Sequence, residues 1–232
     1  MILFTNRVKR LGGFAVGSGI AVSRRISEST IRRLSHYLRA LDGLERDSVQ
    51  TVSSDELAER GGTTAAQVRK DLSHFGSFGK RGLGYCVPDL GAHLRSILGL
   101  DVRWRVVLVG AGRIGSALFE YPTFAARGFD CVAVLDSDPA KIGQCWGYTP
   151  IVSADELETV VRDRRAEMAI LAVPADAAQD VAERAVKGGA RGLLNFAPVR
   201  LRVPPAVAVT NVNLVLEMEG LSFALTQARS NA

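Results

Sequence analysis

Six residues near the middle of the chain, Gly110, Ala111, Gly112, Arg113, Ile114 and Gly115, form the pattern Gly-x-Gly-x-x-Gly. Alone, that spacing is weak. Here it follows the apolar run Arg105–Val109 and leads into a helical stretch, Ser116–Tyr121, which is the setting a dinucleotide fold requires. Gly110 would allow a tight turn, Gly112 would let a pyrophosphate approach the backbone, and Gly115 would let the helix pack on the sheet. Phosphates would sit at the helix N-terminus, where unpaired N–H groups and the helix dipole favour anions. The next strand-like run, Cys131–Leu135, ends at Asp136, about 20 residues further on, where a carboxylate accepts bonds from adenosine ribose hydroxyls and repels a 2′-phosphate. The cofactor implied is NAD rather than NADP, as NAD+ or NADH. Taken alone, Asp136 would be a turn residue ahead of Ser137, Asp138 and Pro139. Strand-like runs at Met168–Val173 and Arg191–Phe196 flank a helical stretch near Ala177–Val186. The loops bearing Val173 and Pro174, and Asn195, Phe196 and Pro198, should therefore face the nicotinamide.

A second constellation lies upstream. Ser53-x-x-Glu56 and Thr64-x-x-Gln67 are two capping boxes separated by Gly61 and Gly62, which reads as helix-turn-helix. In the second helix, running to about Phe75, the residues Val68, Leu72 and Phe75 share one face. Gln67, Arg69, Lys70 and Ser73 are left toward solvent. Gln reads adenine edges, Arg reads guanine or grips phosphate, and Lys neutralises phosphate. A merely solvated polar face is the alternative. Residues 76–85 favour the first reading, because four glycines there flank Lys80 and Arg81. A thin basic hairpin beside the helix is a wing, suited to a narrow minor groove. A phosphate-binding loop is the rival, but no Gly-Lys-[Ser/Thr] occurs and no strand precedes it. Ser53, Gln67, Arg69, Lys70, Ser73, Lys80 and Arg81 form the candidate DNA-binding set.

These sites need elements to carry them. A first helix is expected from about Ser27 to Ala40, with Ile31, Leu34, Leu38 and Leu41 as its apolar stripe and Arg32, Arg33 and Arg39 off it. Leu90–Leu100 reads as a linking helix. The tail, Val212–Gln227, is apolar nearly all round, so it needs cover on several sides, from a partner subunit or from its own domain. The fold class is α/β: a winged-helix domain over 26–86, a linking helix over 87–103, a Rossmann domain over 104–211 and a terminal helix over 212–232. Residues 1–25 read as a disordered extension. Arg7, Lys9 and Arg10 before Leu11–Val22 loosely imitate a signal peptide, but four glycines interrupt the apolar part.

Charge follows the same division. Residues 1–85 carry 14 Lys and Arg against 8 Asp and Glu, while 86–232 carry 15 against 16. The excess positive charge lies beside the helix-turn-helix, as a nucleic-acid-binding module attached to a neutral one would show. Three widely spaced cysteines, Cys86, Cys131 and Cys145, make neither a disulfide framework nor a zinc site, which fits the cytoplasm. His36 and His74 have no metal-spaced partners, so no metal is expected. No run reaches the roughly 18–20 apolar residues of a membrane span. All three histidines, the third being His93, precede the glycine motif, and Tyr121 is the one acid or base candidate near it. A hydride-transferring enzyme is therefore the weaker reading.

The run from Gln67 to Tyr85 closely resembles the Rex family of redox-sensing repressors, as do Leu108–Gly115, Ala169–Pro174 and Leu194–Val199. The likeness spans about residues 26–226, with both domains in the same order. It implies a homodimer on an inverted-repeat operator in double-stranded DNA, with C-terminal helices exchanged between subunits. It also implies release from DNA by NADH, and permitted or strengthened binding with NAD+. By position, Arg39 and Tyr121 match two members of a switch near the nicotinamide. The third is an Asp in a motif Asn-Val-Asp, which here reads Asn211-Val212-Asn213. A neutral Asn can neither pair with Arg as an ion nor stabilise the cationic ring of NAD+. The expectation is a weakened or rewired redox discrimination, or a constitutive DNA-binding paralogue.

Overall fold

A computed structural model of the chain describes residues 26–79 and 82–230. The expected extension over 1–25 and the two wing cations, Lys80 and Arg81, lie outside the described residues. The chain divides into two compact units, Met1–Gly99 and Leu100–Ala232.

In the first unit, α1 (Glu28–Arg46) is capped by Ser27, whose hydroxyl accepts the Thr30 N–H at 3.2 Å. It runs on past Ala40 because Leu41 and Leu44 continue its buried face. Tyr37, not Ile31, completes the inward stripe: Tyr37 is fully buried and Ile31 is 46% exposed. Strand β1 (Thr51–Val52) precedes α2 (Ser54–Gly61), which ends on Gly62 at φ 63°, a left-handed cap. Helix α3 (Ala65–Ser73) is capped by Thr64 and stops just short of Phe75, which is still buried. Strand β2 spans Tyr85–Cys86. It pairs antiparallel with β1, so the ladder clamps the two ends of the helix-turn-helix together. Helix α4 (Val87–Ile97) is more than a link. Val87, Leu90 and Leu94 are buried, and Arg95 bonds Asp42 and Glu45 of α1 at 2.7 and 3.1 Å. It belongs to this unit's core.

The second unit comprises β3 (Trp104–Val109), α5 (Arg113–Phe119), α6 (Pro122–Ala126), β4 (Phe129–Asp136), β5 (Cys145–Trp146) and β6 (Thr149–Ser153). After a 3-10 turn at Ala154–Glu156 come α7 (Leu157–Asp163), β7 (Met168–Leu171), α8 (Ala178–Gly188), β8 (Gly192–Asn195), β9 (Ala208–Asn211) and α9 (Leu214–Ser230). The sheet order is β5-β6-β4-β3-β7-β8-β9, parallel throughout except for the β5 edge. From β6 to β9 this is the doubly wound order of dinucleotide-binding domains. Alternation along β3 sends Val107 and Val109 into one core with α7 and α8, and Leu108 into the other with Val134 and Ile151. The connection reverses direction between β3 and β7, and a crevice opens beyond their carboxyl ends there.

Among the described residues no helix is long and apolar enough to cross a membrane, and no cluster of three His, Cys, Asp or Glu could hold a metal ion. Helix α9 has no buried residue; Leu214, Val215, Leu216, Met218, Leu221, Phe223 and Leu225 are all exposed.

Candidate functional site

A cleft of about 890 Å³ lies at the switch point, within the range of small-molecule sites. Gly110, Gly112, Arg113 and Ile114 form one wall, Val173, Pro174 and Phe196 another, and Asp136, Asp138 and Lys141 one end. The glycines explain its shape. Gly110 has φ 103°, and a Cβ there would lie 2.3 Å from the Ala172 carbonyl oxygen. A Cβ on Gly115 would lie 1.9 Å from the Gly110 carbonyl oxygen. Gly115 is thus bare because the loop folds onto its own helix, and contact with the sheet is secondary: Leu108 comes no nearer than 3.8 Å. Gly112 meets nothing within 4 Å, so its bareness serves nothing inside the chain and leaves a methyl-sized space open to a ligand. It starts α5 with no side-chain cap, which keeps the first N–H groups of the helix clear.

Asp136 is 8% exposed, and its carboxylate is engaged within the chain. Its Oδ2 accepts the Ala111 N–H at 2.6 Å and the Lys141 ammonium at 3.1 Å, and its Oδ1 accepts the Asp138 N–H at 2.8 Å. Burial opposes its ionisation, but the Asp138 N–H, the Lys141 ammonium and the Ala111 N–H outweigh that and hold its pKa below the ordinary carboxylate value. A bare glycine loop, an ionised acid at one end and an apolar wall at the other fit a dinucleotide. The bond from Ala111 to Asp136 ties the acidic end of the cleft to the glycine loop. Sequence reasoning missed Lys141; its signal was a cation five residues beyond Asp136.

Several candidate residues lie elsewhere. Asn195 is fully buried and does not line the cleft. Its amide donates to the Ala197, Val199 and Asn211 oxygens at 3.1, 2.9 and 2.9 Å and accepts the Ala197 N–H at 3.0 Å, so it locks the loop that presents Phe196. Pro198 is exposed on that loop, outside the cleft. Ala111 and Gly115 are buried beneath the cradle. Tyr121 is 53% exposed and borders a separate cavity of about 310 Å³ with Phe119, Phe124 and Phe129. Cys131 lies on that cavity's wall, where burial pushes its thiol pKa up to about 11, so it is not a reactive thiolate.

In the first unit, Ser53 caps α2, its hydroxyl accepting the Glu56 N–H at 3.0 Å. Arg69, Lys70 and Ser73 are exposed on α3. Arg69 Nη1 donates to Ser54 Oγ at 2.8 Å, and the Ser73 hydroxyl donates to the Lys70 carbonyl at 2.7 Å. Gln67 departs from the expected free position. It is half-buried, and its amide turns forward to Asp71 rather than back to complete the capping box. Asp71, Arg33 and Tyr37 form a network around a buried carboxylate that sequence reasoning did not single out. Burial opposes Asp71's ionisation, but Arg33, Gln67 and Tyr37 outweigh it, so its pKa is lowered. Burial, and then the bond to Asp71, push the Tyr37 pKa up to about 12, which keeps Tyr37 a neutral donor.

Of the three switch candidates, Arg39 is exposed on α1 of the first unit, while Tyr121 and Asn213 belong to the second. Asn213 caps α9: its side-chain oxygen accepts the Val215 and Leu216 N–H groups at 3.0 and 3.4 Å.

Comparison with known proteins accounts for both units. A family described as a putative DNA-binding protein N-terminus matches residues 25–73, and a CoA-binding domain family matches residues 101–199. The redox-sensing transcriptional repressor Rex of Carboxydothermus hydrogenoformans is 50% identical over 199 residues, covering 86% of this chain and 96% of its own. Rex of Streptomyces coelicolor is 45% identical over 201 residues, covering 87% of this chain and 78% of its own. Among solved structures, RSP in complex with NAD+ and operator DNA superposes with a TM-score of 0.85 at 35% identity, over 89% of this chain and 95% of that one. RSP in complex with NADH gives a TM-score of 0.80 at 33% identity, over 89% and 97%. The relatives are named for a regulatory role, not a catalytic one. With identity at this level along nearly the full length of both units, the chain belongs to the Rex family of redox-sensing transcriptional repressors.

Proposed function

We propose that this protein binds an inverted-repeat operator as a homodimer and leaves it when NADH fills the cleft, so that transcription follows the NADH/NAD+ ratio. The observation that carries this reading is the pairing in one chain of a dinucleotide cradle, with Gly112 bare toward open space, and a helix exposing Arg69 and Lys70. The cradle's backbone holds the pyrophosphate, Asp136 accepts a ribose hydroxyl, and Val173, Pro174 and Phe196 receive the nicotinamide. NAD+ and NADH differ there in charge and ring planarity, so each favours a different arrangement of the dimer. The recognition helices then match successive major grooves about 34–36 Å apart, or fail to. Arg39, Tyr121 and Asn213 are the proposed coupling residues. Lys80 and Arg81 add minor-groove contacts, and Ser53 donates to a phosphate. A repressor acting on operator DNA would work in the cytoplasm.

Helix α9 supports the dimer. A helix of about 25 Å with apolar side chains exposed on all sides requires cover, and exchange into a partner subunit supplies it. Removing residues 214–232 should turn the dimer into a monomer in light scattering; an unchanged mass would refute the exchange. The regulatory reading is tested by a mobility shift on an inverted-repeat duplex with NAD+, NADH or neither. Equal occupancy in all three arms would leave the second reading, an unregulated paralogue. The neutral Asn213 favours that second reading, because it carries no charge with which to pair an arginine or stabilise the cationic ring of NAD+.

A further inference from the structure

Asp71 is an acid in the middle of the helix that the preceding reading lays against a polyanion, and it is 1% exposed. Four donors meet it. Arg33 Nε reaches Oδ2 at 2.6 Å, and Arg33 Nη2 reaches Oδ1 at 2.8 Å. The Tyr37 hydroxyl reaches Oδ2 at 3.0 Å, and the Gln67 amide Nε2 reaches Oδ1 at 2.8 Å. Each oxygen therefore accepts two bonds, and the carboxylate is saturated. The bidentate guanidinium cancels its charge, so the acid does not repel DNA. Arg33 is itself held by Thr30, whose hydroxyl it meets at 3.2 Å, and Thr30 is 6% exposed. The anchor of Gln67 is thus rooted in α1 and does not move with α3 alone.

The consequence lies in what Gln67 has left. A primary amide offers two N–H donors and one carbonyl acceptor. Asp71 takes one donor, leaving one N–H and Oε1. In the major groove adenine shows an acceptor, N7, beside a donor, the N6 amino group. Guanine shows two acceptors, N7 and O6. An anchored Gln67 matches adenine on both atoms, and against guanine it sets oxygen against oxygen. An unanchored amide could turn both N–H groups toward guanine. We propose that Asp71 is a positioning residue for operator specificity: by occupying one Gln67 amide hydrogen, it makes Gln67 accept adenine and reject guanine. This rests on α3 being the element that reads DNA.

The test uses the full-length protein and fluorescence anisotropy on a palindromic operator duplex, with each A·T pair replaced by G·C in turn. The wild type should show one half-site position where the replacement weakens binding about tenfold or more. Gln67→Ala should abolish the preference there. Asp71→Asn should reduce it to under about threefold while leaving the preferences at other positions and NADH affinity unchanged, and the double variant should lose no more than Gln67→Ala. An unchanged profile in Asp71→Asn, or preferences flattened equally at every position, would overturn the proposal. If thermal melting shows that Asp71→Asn does not fold, the wild type is tested on duplexes carrying purine or 7-deazaadenine. At one position both analogues should weaken wild-type binding but not that of Gln67→Ala, and absence of such a position overturns the proposal. Arg69→Ala and Lys70→Ala are run in parallel. If neither weakens operator binding, the reading of α3 has failed; if they do and Asp71→Asn keeps its profile, only this inference has.

Discussion

Gly112→Ala should separate stability from ligand binding. Gly112 has φ −88° and ψ −167°, an extended conformation open to any residue, and a Cβ there meets nothing within 4 Å. Two opposing terms act on stability. Replacing glycine at a compatible dihedral stabilises by about 0.4–1 kcal/mol through the unfolded chain. Alanine is a poorer N-cap than glycine, by roughly 0.5–1 kcal/mol. The net change should lie within about 0.5 kcal/mol, a shift in Tm of a few degrees at most. Binding should respond differently. The added methyl fills the space a pyrophosphate would enter, and overpacking of about 1–3 kcal/mol weakens NADH about 5- to 150-fold. Gly115→Ala provides the contrast. Its Cβ would sit 1.9 Å from the Gly110 oxygen, and Gly110 is held in turn by its N–H bond to Leu135 at 2.8 Å. Gly110 cannot retreat toward Ala172 either, so Gly115→Ala should lose stability and binding together. Circular-dichroism melts without ligand and NADH titration by fluorescence measure the two quantities. The reasoning is refuted if Gly112→Ala binds NADH like wild type, or if it melts as early as Gly115→Ala.

Arg69→Ala or Lys70→Ala should weaken operator binding across sequences while NADH affinity stays unchanged. The log–log salt slope should fall by about 0.9 for each phosphate no longer neutralised. Asp71 predicts acid sensitivity of the first unit. Its folded-state pKa is lowered, so its stabilisation is fully present above the unfolded value of about 3.9 and is lost as pH falls toward the lower folded value. Melts from about pH 6 to about pH 3 should show Asp71→Asn losing less than wild type over that window. Asn213→Asp should preserve the α9 cap, since either residue caps well, and leave Tm nearly unchanged. Restoring the charge should change the ratio of NAD+ to NADH affinity measured in separate titrations. A wild-type preference for NADH of about a thousandfold or more would show that Asn213 does not weaken discrimination, against the usual coupling of about 1–3 kcal/mol.

The local signals were legible in the chain because they depend on neighbours a few residues apart. Ser53 and Thr64 start helices through a hydroxyl bonded three residues ahead, and Gly110 takes the positive φ that glycine permits. The apolar run Arg105–Val109 was legible as a buried strand, and the glycine motif between strand and helix implied the cleft. The roles of the polar side chains were settled only by tertiary contacts. Asn195, expected at the nicotinamide, is turned inward to satisfy three oxygens, and Gln67, expected to be free, is bonded to Asp71. The pairing of β2 with β1, and the bond between Asp71 and Arg33 across 38 positions, depend on which distant segments pack together. A sequence carries the hydrogen-bonding capacity of each side chain, but which partner uses that capacity is decided by burial, because a buried polar atom must find a partner wherever the fold brings one within reach.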